Sequence, residues 1–237
     1  MKVRRIILAV DNPDLEIAST WIEGLQGEVD IFKLGLEFFM KNGAAGVREL
    51  QKRHKFDLFL DLKLHDIPNT VAGAVKSIAD LNPRFLTVHA SGGFEMISQA
   101  ASVSPSIGIT GVTILTSLDQ GDLEEIGYSS TPLDGAIGLA QLAKRAGAKA
   151  IVSSPLEVAA IRKAVGNELT LITPGVRPAT GSQSDDQKRV MTPSDAISAG
   201  ASFLVIGRPI TAEFSKSVNA ARDAAAIINA EIDSAAI

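Results

Sequence analysis

Short apolar runs alternate along this chain with longer stretches in which apolar positions recur every three or four residues. The runs cover residues 6–10, 29–34, 56–63, 85–89, 107–115, 150–153, 170–173 and 203–206. They are mostly apolar throughout rather than alternating, the pattern of strands buried on both faces of a parallel sheet. Helical patterns follow them at 37–54, 71–81, 94–102, 133–146 and 155–165, then over a short stretch ending near Gly200, and from Pro209 towards the C-terminus. The first helix is expected to open at Asn12-Pro13, an N-cap followed by proline at the first helical position. Gly147 reads as a C-cap, and Thr192-Pro193-Ser194-Asp195 as a capping-box-like start. Residues 116–132 and 175–191 are polar and read as loops. The second is long enough to be a lid.

Eight strands, each followed by a helix, predict βαβ units and a parallel sheet. Eight is also the number that closes a (β/α)8 TIM barrel, the α/β fold expected here. A doubly wound open sheet is the competing arrangement. No linker-like shift in composition, repeat or low-complexity segment divides residues 1–237, so a single domain is expected.

Composition narrows the function. The 237 residues suit one α/β barrel, and a net charge of -4 argues against a nucleic-acid-binding surface. With no Cys there is no disulfide framework, thiol nucleophile or thiolate metal site. The basic start Met1-Lys2-Val3-Arg4-Arg5 imitates a secretion signal, but the apolar run after it ends at Asp11, too soon for a signal's apolar core. No stretch approaches the roughly 20 apolar residues that span a bilayer, so no membrane partner is expected.

In such a barrel the active site lies at the C-terminal ends of the strands. The polar residues expected there are Asp11, Lys33, Asp61, Lys63, Thr116, Ser117, Arg177, Gln187, Gly207 and Arg208. Singly, each has a plain alternative: Asp11 could start a helix, Lys33 could snorkel, Thr116 and Ser117 could be turn residues, and Arg177 could be surface charge. Asp61-Leu62-Lys63-Leu64-His65-Asp66 is harder to dismiss. Residues two apart share a strand face, so Asp61 and Lys63 face one way, Leu62 and Leu64 the other, and Asp66 falls past the strand end. Buried charge costs several kcal/mol per ion unless paired. A cluster that only seals the barrel mouth is the structural alternative. Gly207 and Arg208, before Pro209, suit a phosphate held after the eighth strand, and Gln187 could reach over it. His54, His65 and His89 show no paired helical spacing of the zinc-protease kind and are weak candidates as metal ligands, and no Walker loop, dinucleotide glycine turn or nucleophile elbow is present. These residues point to a phosphorylated small molecule, a Lys/Asp cluster and no evident organic cofactor.

The run Asp61-Leu62-Lys63-Leu64-His65-Asp66-Ile67-Pro68-Asn69-Thr70 resembles the signature of the orotidine 5'-phosphate decarboxylase family. Asp11 and Lys33 sit where that family has its first aspartate and lysine. Thr173-Pro174-Gly175-Val176-Arg177 with Asp186-Gln187 resembles its phosphate-loop motif, and Val205-Ile206-Gly207-Arg208-Pro209-Ile210-Thr211 its strand-eight motif. After the fifth strand only Leu115-Thr116-Ser117 matches, leaving either Thr116 or Ser117 to contact the base. The resemblance implies a cytoplasmic, cofactor-free and metal-free lyase that converts orotidine 5'-monophosphate to uridine 5'-monophosphate, the last step of de novo pyrimidine synthesis. It implies Lys63, Asp61, Asp66 and Lys33 as catalytic residues, Lys33 also meeting the ribose. Asp11, Ile67, Thr70, Pro174, Arg177, Gln187, Gly207 and Arg208 would bind substrate. It also implies a homodimer with shared sites, Asp66 reaching the partner's site with Ile67 and Thr70 beside it. Two rivals share part of the pattern. One is a magnesium-dependent sugar-phosphate decarboxylase or aldolase on the same barrel, the other a non-catalytic barrel that binds a phosphate ligand.

Overall fold

The computed structural model describes residues 4–177 and 191–235. Eight parallel strands close on themselves in chain order, β1 (Ile6–Val10), β2 (Ile31–Gly35), β3 (Asp57–Leu64), β4 (Phe85–His89), β5 (Gly108–Val112), β6 (Ala150–Val152), β7 (Thr170–Thr173) and β8 (Phe203–Ile206). Pairing of β1 with β8, Ile6 opposite Leu204, completes the ring. The helices around it are α1 (Leu15–Leu25), α2 (Leu36–Arg53), α3 (Pro68–Ser77), α4 (Gly93–Val103), α5 (Gln120–Glu125), α6 (Pro132–Arg145), α7 (Val158–Val165), α8 (Pro193–Ser198), α9 (Arg208–Thr211) and α10 (Val218–Ala235). The expected (β/α)8 barrel is the fold.

The mostly apolar strands reflect two cores. Ile7, Ile31, Phe59, Phe85, Ala150, Ile172 and Phe203 fill the barrel interior. Their strand neighbours, such as Ile6, Leu8 and Val10, pack outwards against the helices. The ring of Phe85 lies 5.8 Å from Phe59 and 6.2 Å from Phe203. The Arg84 guanidinium sits 5.4 Å from the Phe85 ring and 5.3 Å from the Phe203 ring. It also donates to Asp57 at 2.7 Å. Arg84, Phe85 and Phe203 fill the N-terminal end, leaving the cavity, which Phe59 also lines, to the C-terminal end.

Several expected boundaries move. Asp14, not Asn12, caps α1, its carboxylate accepting from the N–H groups of Glu16 and Ile17. Asn12 is already engaged by the Asp14 N–H, at 2.8 Å. The expected strand over 29–34 starts only at Ile31, because Val29 bridges back to Gln26. A left-handed Gly43 kinks α2. The helix expected over 71–81 starts earlier, at Pro68, and its last turn is a separate 3-10 turn, Ala79–Leu81. The strand expected over 107–115 ends at Val112, freeing Ile114 and Leu115 to line the cavity. The loop expected over 116–132 contains α5, where Asp119 and Asp122 form a capping box. The last helix is broken after α9 by a 3-10 turn, Ala212–Ser215.

Candidate active site

Four charged side chains form one array at the C-terminal ends of β1 to β3. The Lys33 ammonium lies 3.1 Å from Asp11 Oδ1 and 3.3 Å from Asp61 Oδ2. Asp61 Oδ1 accepts from Lys63 Nζ at 2.8 Å. The charges therefore alternate in sign from Asp11 to Lys63. The Lys33 and Asp61 side chains are only 10% and 13% exposed, whereas Asp11 is 63% exposed. Burial works against both inner ions. It pushes the Lys33 ammonium down, but Asp61 and Asp11 outweigh it and hold Lys33 above its ordinary 10.5. Burial pushes Asp61 up, but the Lys33 and Lys63 ammoniums, aided by Thr87, hold it below its ordinary 3.8. Pairing wins over desolvation, so both stay charged at neutral pH.

A break in the β3–β4 ladder shapes this array. Leu60 pairs with Leu86 and Leu64 with Val88, so Asp61, Leu62 and Lys63 together stand opposite Thr87. Lys63 takes φ +48°, a left-handed conformation that costs a non-glycine residue about 1–3 kcal/mol and persists only where surroundings over-determine it. Strand alternation predicts that Asp61 and Lys63 meet. They do, but a bulge and a left-handed residue bring them together rather than a regular pleat. Leu62 and Leu64 pack against the outer core, as expected.

A cavity of about 260 Å³ opens over the array. Of the predicted residues it is lined by Asp11, Lys33, Asp61, Lys63, Thr116, Pro174, Arg177, Gly207 and Arg208. Thr116 lines it, while Ser117 is exposed and does not. Gly207 packs closely on β1: a Cβ there would stand 3.3 Å from Ala9 Cβ and 3.9 Å from Asp11 Oδ2. Arg177 is part-buried, which pushes its guanidinium down from the usual arginine range, yet an arginine remains charged in proteins. Its backbone N–H donates to the Met191 carbonyl at 3.0 Å.

Three predicted residues stand away from this cavity in the single chain. Asp66, Ile67 and Thr70 are exposed around the start of α3, Ile67 at 66%. Asp66 Oδ1 accepts from the Ile67 N–H at 2.6 Å. Gln187, with Asp186 and most of the expected lid over 175–191, lies outside the described residues.

Sequence reasoning missed Thr87 and the apolar wall of Phe59, Val112, Ile114, Leu115, Val152 and Val205. The wall looked like ordinary strand core. Thr87 left a weak signal, a hydroxyl two residues from inward Phe85 on the same strand face. It is fully buried, accepts from the Lys63 N–H at 2.8 Å and donates to Asp61 Oδ1 at 3.0 Å. Among the described residues no three His, Asp or Glu side chains are grouped to hold a metal ion. A buried cationic and anionic array beside an apolar wall can bind a flat polar ring, place an ammonium at a reacting carbon and crowd a carboxylate.

The chain is similar to known proteins over nearly its whole length. It is 50% identical over 206 residues to the orotidine 5'-phosphate decarboxylase of Thermobifida fusca, covering 87% of this chain and 88% of that one. It is 45% identical over 226 residues to the enzyme of that name from Actinobacillus succinogenes, covering 91% and 97%. The crystal structure of orotidine 5'-phosphate decarboxylase from Lactobacillus acidophilus superposes with TM-score 0.83 at 32% identity, covering 98% of this chain and 100% of that one. The family model matches residues 4–224, and with these relatives it establishes that the chain belongs to the orotidine 5'-phosphate decarboxylase / HUMPS family.

Proposed function

We propose that this protein decarboxylates orotidine 5'-monophosphate to uridine 5'-monophosphate. The observation that carries the reading is the alternating array of Asp11, Lys33, Asp61 and Lys63 at the mouth of an apolar-walled cavity. Breaking the bond from C6 to the carboxylate releases carbon dioxide and leaves an electron pair on C6, which the pyrimidine ring delocalises poorly. The Lys63 ammonium, already in place before the bond breaks, stabilises that charge as preorganised electrostatics. It then transfers its proton to C6. Asp61 keeps Lys63 in place and crowds the departing carboxylate. Lys33 completes the array, and Lys33 and Asp11 meet the ribose. Thr116 contacts the base beside Pro174, and Arg177, Gln187, Gly207 and Arg208 hold the phosphate. The relatives' printed names support the reaction, and the charge array supports the roles.

The active unit is a homodimer with shared sites, in which Asp66, Ile67 and Thr70 serve the partner's cavity. In support, Leu36, Met40, Ile67 and Phe94 are all exposed apolar residues at the starts of α2, α3 and α4. Those helices follow the adjacent strands β2, β3 and β4, so one side of the barrel mouth carries an apolar rim beside Asp66. Residues 1–237 work as one barrel domain in the cytoplasm.

The test is an absorbance assay with orotidine 5'-monophosphate after exhaustive chelation. Turnover to uridine 5'-monophosphate is expected to survive the chelator, and Lys63→Ala to abolish it while circular dichroism stays native. Restoration only by magnesium, or near-normal turnover in Lys63→Ala, overturns the reading.

A further inference from the structure

Resting on the reading above, we propose that Thr87 is a positioning residue for the decarboxylation, holding Lys63 and Asp61 in their reactive arrangement through one hydroxyl. The bulge leaves three residues of β3 opposite Thr87. At Lys63 the backbone is left-handed, with φ +48°, and its N–H donates instead to the Thr87 hydroxyl, at 2.8 Å. That hydroxyl gives its proton to Asp61 Oδ1 at 3.0 Å, and the same oxygen accepts from Lys63 Nζ at 2.8 Å. The contacts close a ring from the Lys63 backbone through Thr87 and Asp61 to the Lys63 ammonium.

This ring couples two things that chemistry at C6 needs. It fixes the backbone from which the Lys63 side chain reaches, and it sets the Asp61 oxygen against which the ammonium is placed. A hydroxyl is the smallest group that accepts from an amide and donates to a carboxylate at once. Valine has the same shape but does neither, and would leave the Lys63 N–H and one Asp61 lone pair unmatched in a buried place. Thr87 is fully buried and does not line the cavity, so it acts through Lys63 and Asp61 and not by touching substrate.

The experiment compares wild type, Thr87→Val and Thr87→Ser by steady-state kinetics and by amide hydrogen exchange at Lys63. Thr87→Val is expected to lower kcat by about tenfold to a hundredfold, the scale on which misorienting a reactive group acts, with a much smaller change in KM. Its acid limb should move to higher pH, because Asp61 loses one of the groups that keep it ionised. Thr87→Ser should recover most of the lost rate. The Lys63 amide should exchange fastest in Thr87→Val. Full activity in Thr87→Val, equal losses in both variants, or an equally protected Lys63 amide in Thr87→Val overturns the proposal. If wild type itself fails to turn over orotidine 5'-monophosphate, the reading of function falls separately, and Lys63 exchange alone then decides for or against the Thr87 clamp.

Discussion

His89 ends β4 with its ring 5.3 Å from that of His65. Burial is the main cause that lowers it from its ordinary 6.5, followed by the nearby His65 and Lys63, while Asp61 pulls weakly the other way. A lowered value means that the unfolded chain binds this proton more readily than the native one. The stability that neutral His89 contributes is therefore complete above about pH 6.5 and is lost as pH falls through the native value. Asp61 behaves likewise below its ordinary 3.8, whereas Lys33 loses its contribution only as pH climbs above 10.5. In His89→Asn the loss of stability between pH 7 and 5 should be shallower than in wild type, measured by urea unfolding at each pH. Parallel curves would show that His89 does not carry that slope.

Among the elements, α6 shows how a local signal finishes a helix. Ala148 N–H donates to the Ala143 carbonyl and Gly147 N–H to that of Lys144, a Schellman motif. It requires the left-handed φ +91° of Gly147, as its place after the apolar pattern predicts. A Cβ there would meet Ala101 at an ordinary 3.6 Å, so the cost of Gly147→Ala is backbone strain and not a clash. The substitution should destabilise by about 1 kcal/mol and leave kcat and KM unchanged, since α6 ends far from the strand C-termini. β3 is the opposite case. Its bulge depends on where β4 pairs with it, and no residue of β3 announces it.

At the scale of the molecule, one barrel mouth carries Lys63 inside and Asp66 outside. Asp66→Ala and Lys63→Ala are each expected to be inactive alone, and mixing the two and letting them reassort tests the shared site. Heterodimers would hold one intact and one doubly altered site, so about a quarter of all sites should regain activity in an equal mixture. A mixture as inactive as its parents would show that Asp66 serves its own subunit. If the sites are shared, the backbone amides around the exposed apolar rim of Leu36, Met40, Ile67 and Phe94 should be protected from hydrogen exchange in the dimer.

The sequence by itself determined the order of strands and helices and most of the polar residues at the strand ends. Those features are local: apolar periodicity marks each element, and parallel strands bring all their C-terminal ends to one side. Asp11, Lys33, Asp61, Lys63, Gly207 and Arg208 were legible for that reason. The tertiary structure decided what depends on register between strands. It closed β1 on β8, set three residues of β3 against Thr87, and turned Thr116 rather than Ser117 to the cavity. It also decided that Lys33 and Asp61 stay charged although buried. A pattern along one chain does not contain these facts, because hydrogen-bond register and Coulomb interaction depend on distances between residues far apart in sequence.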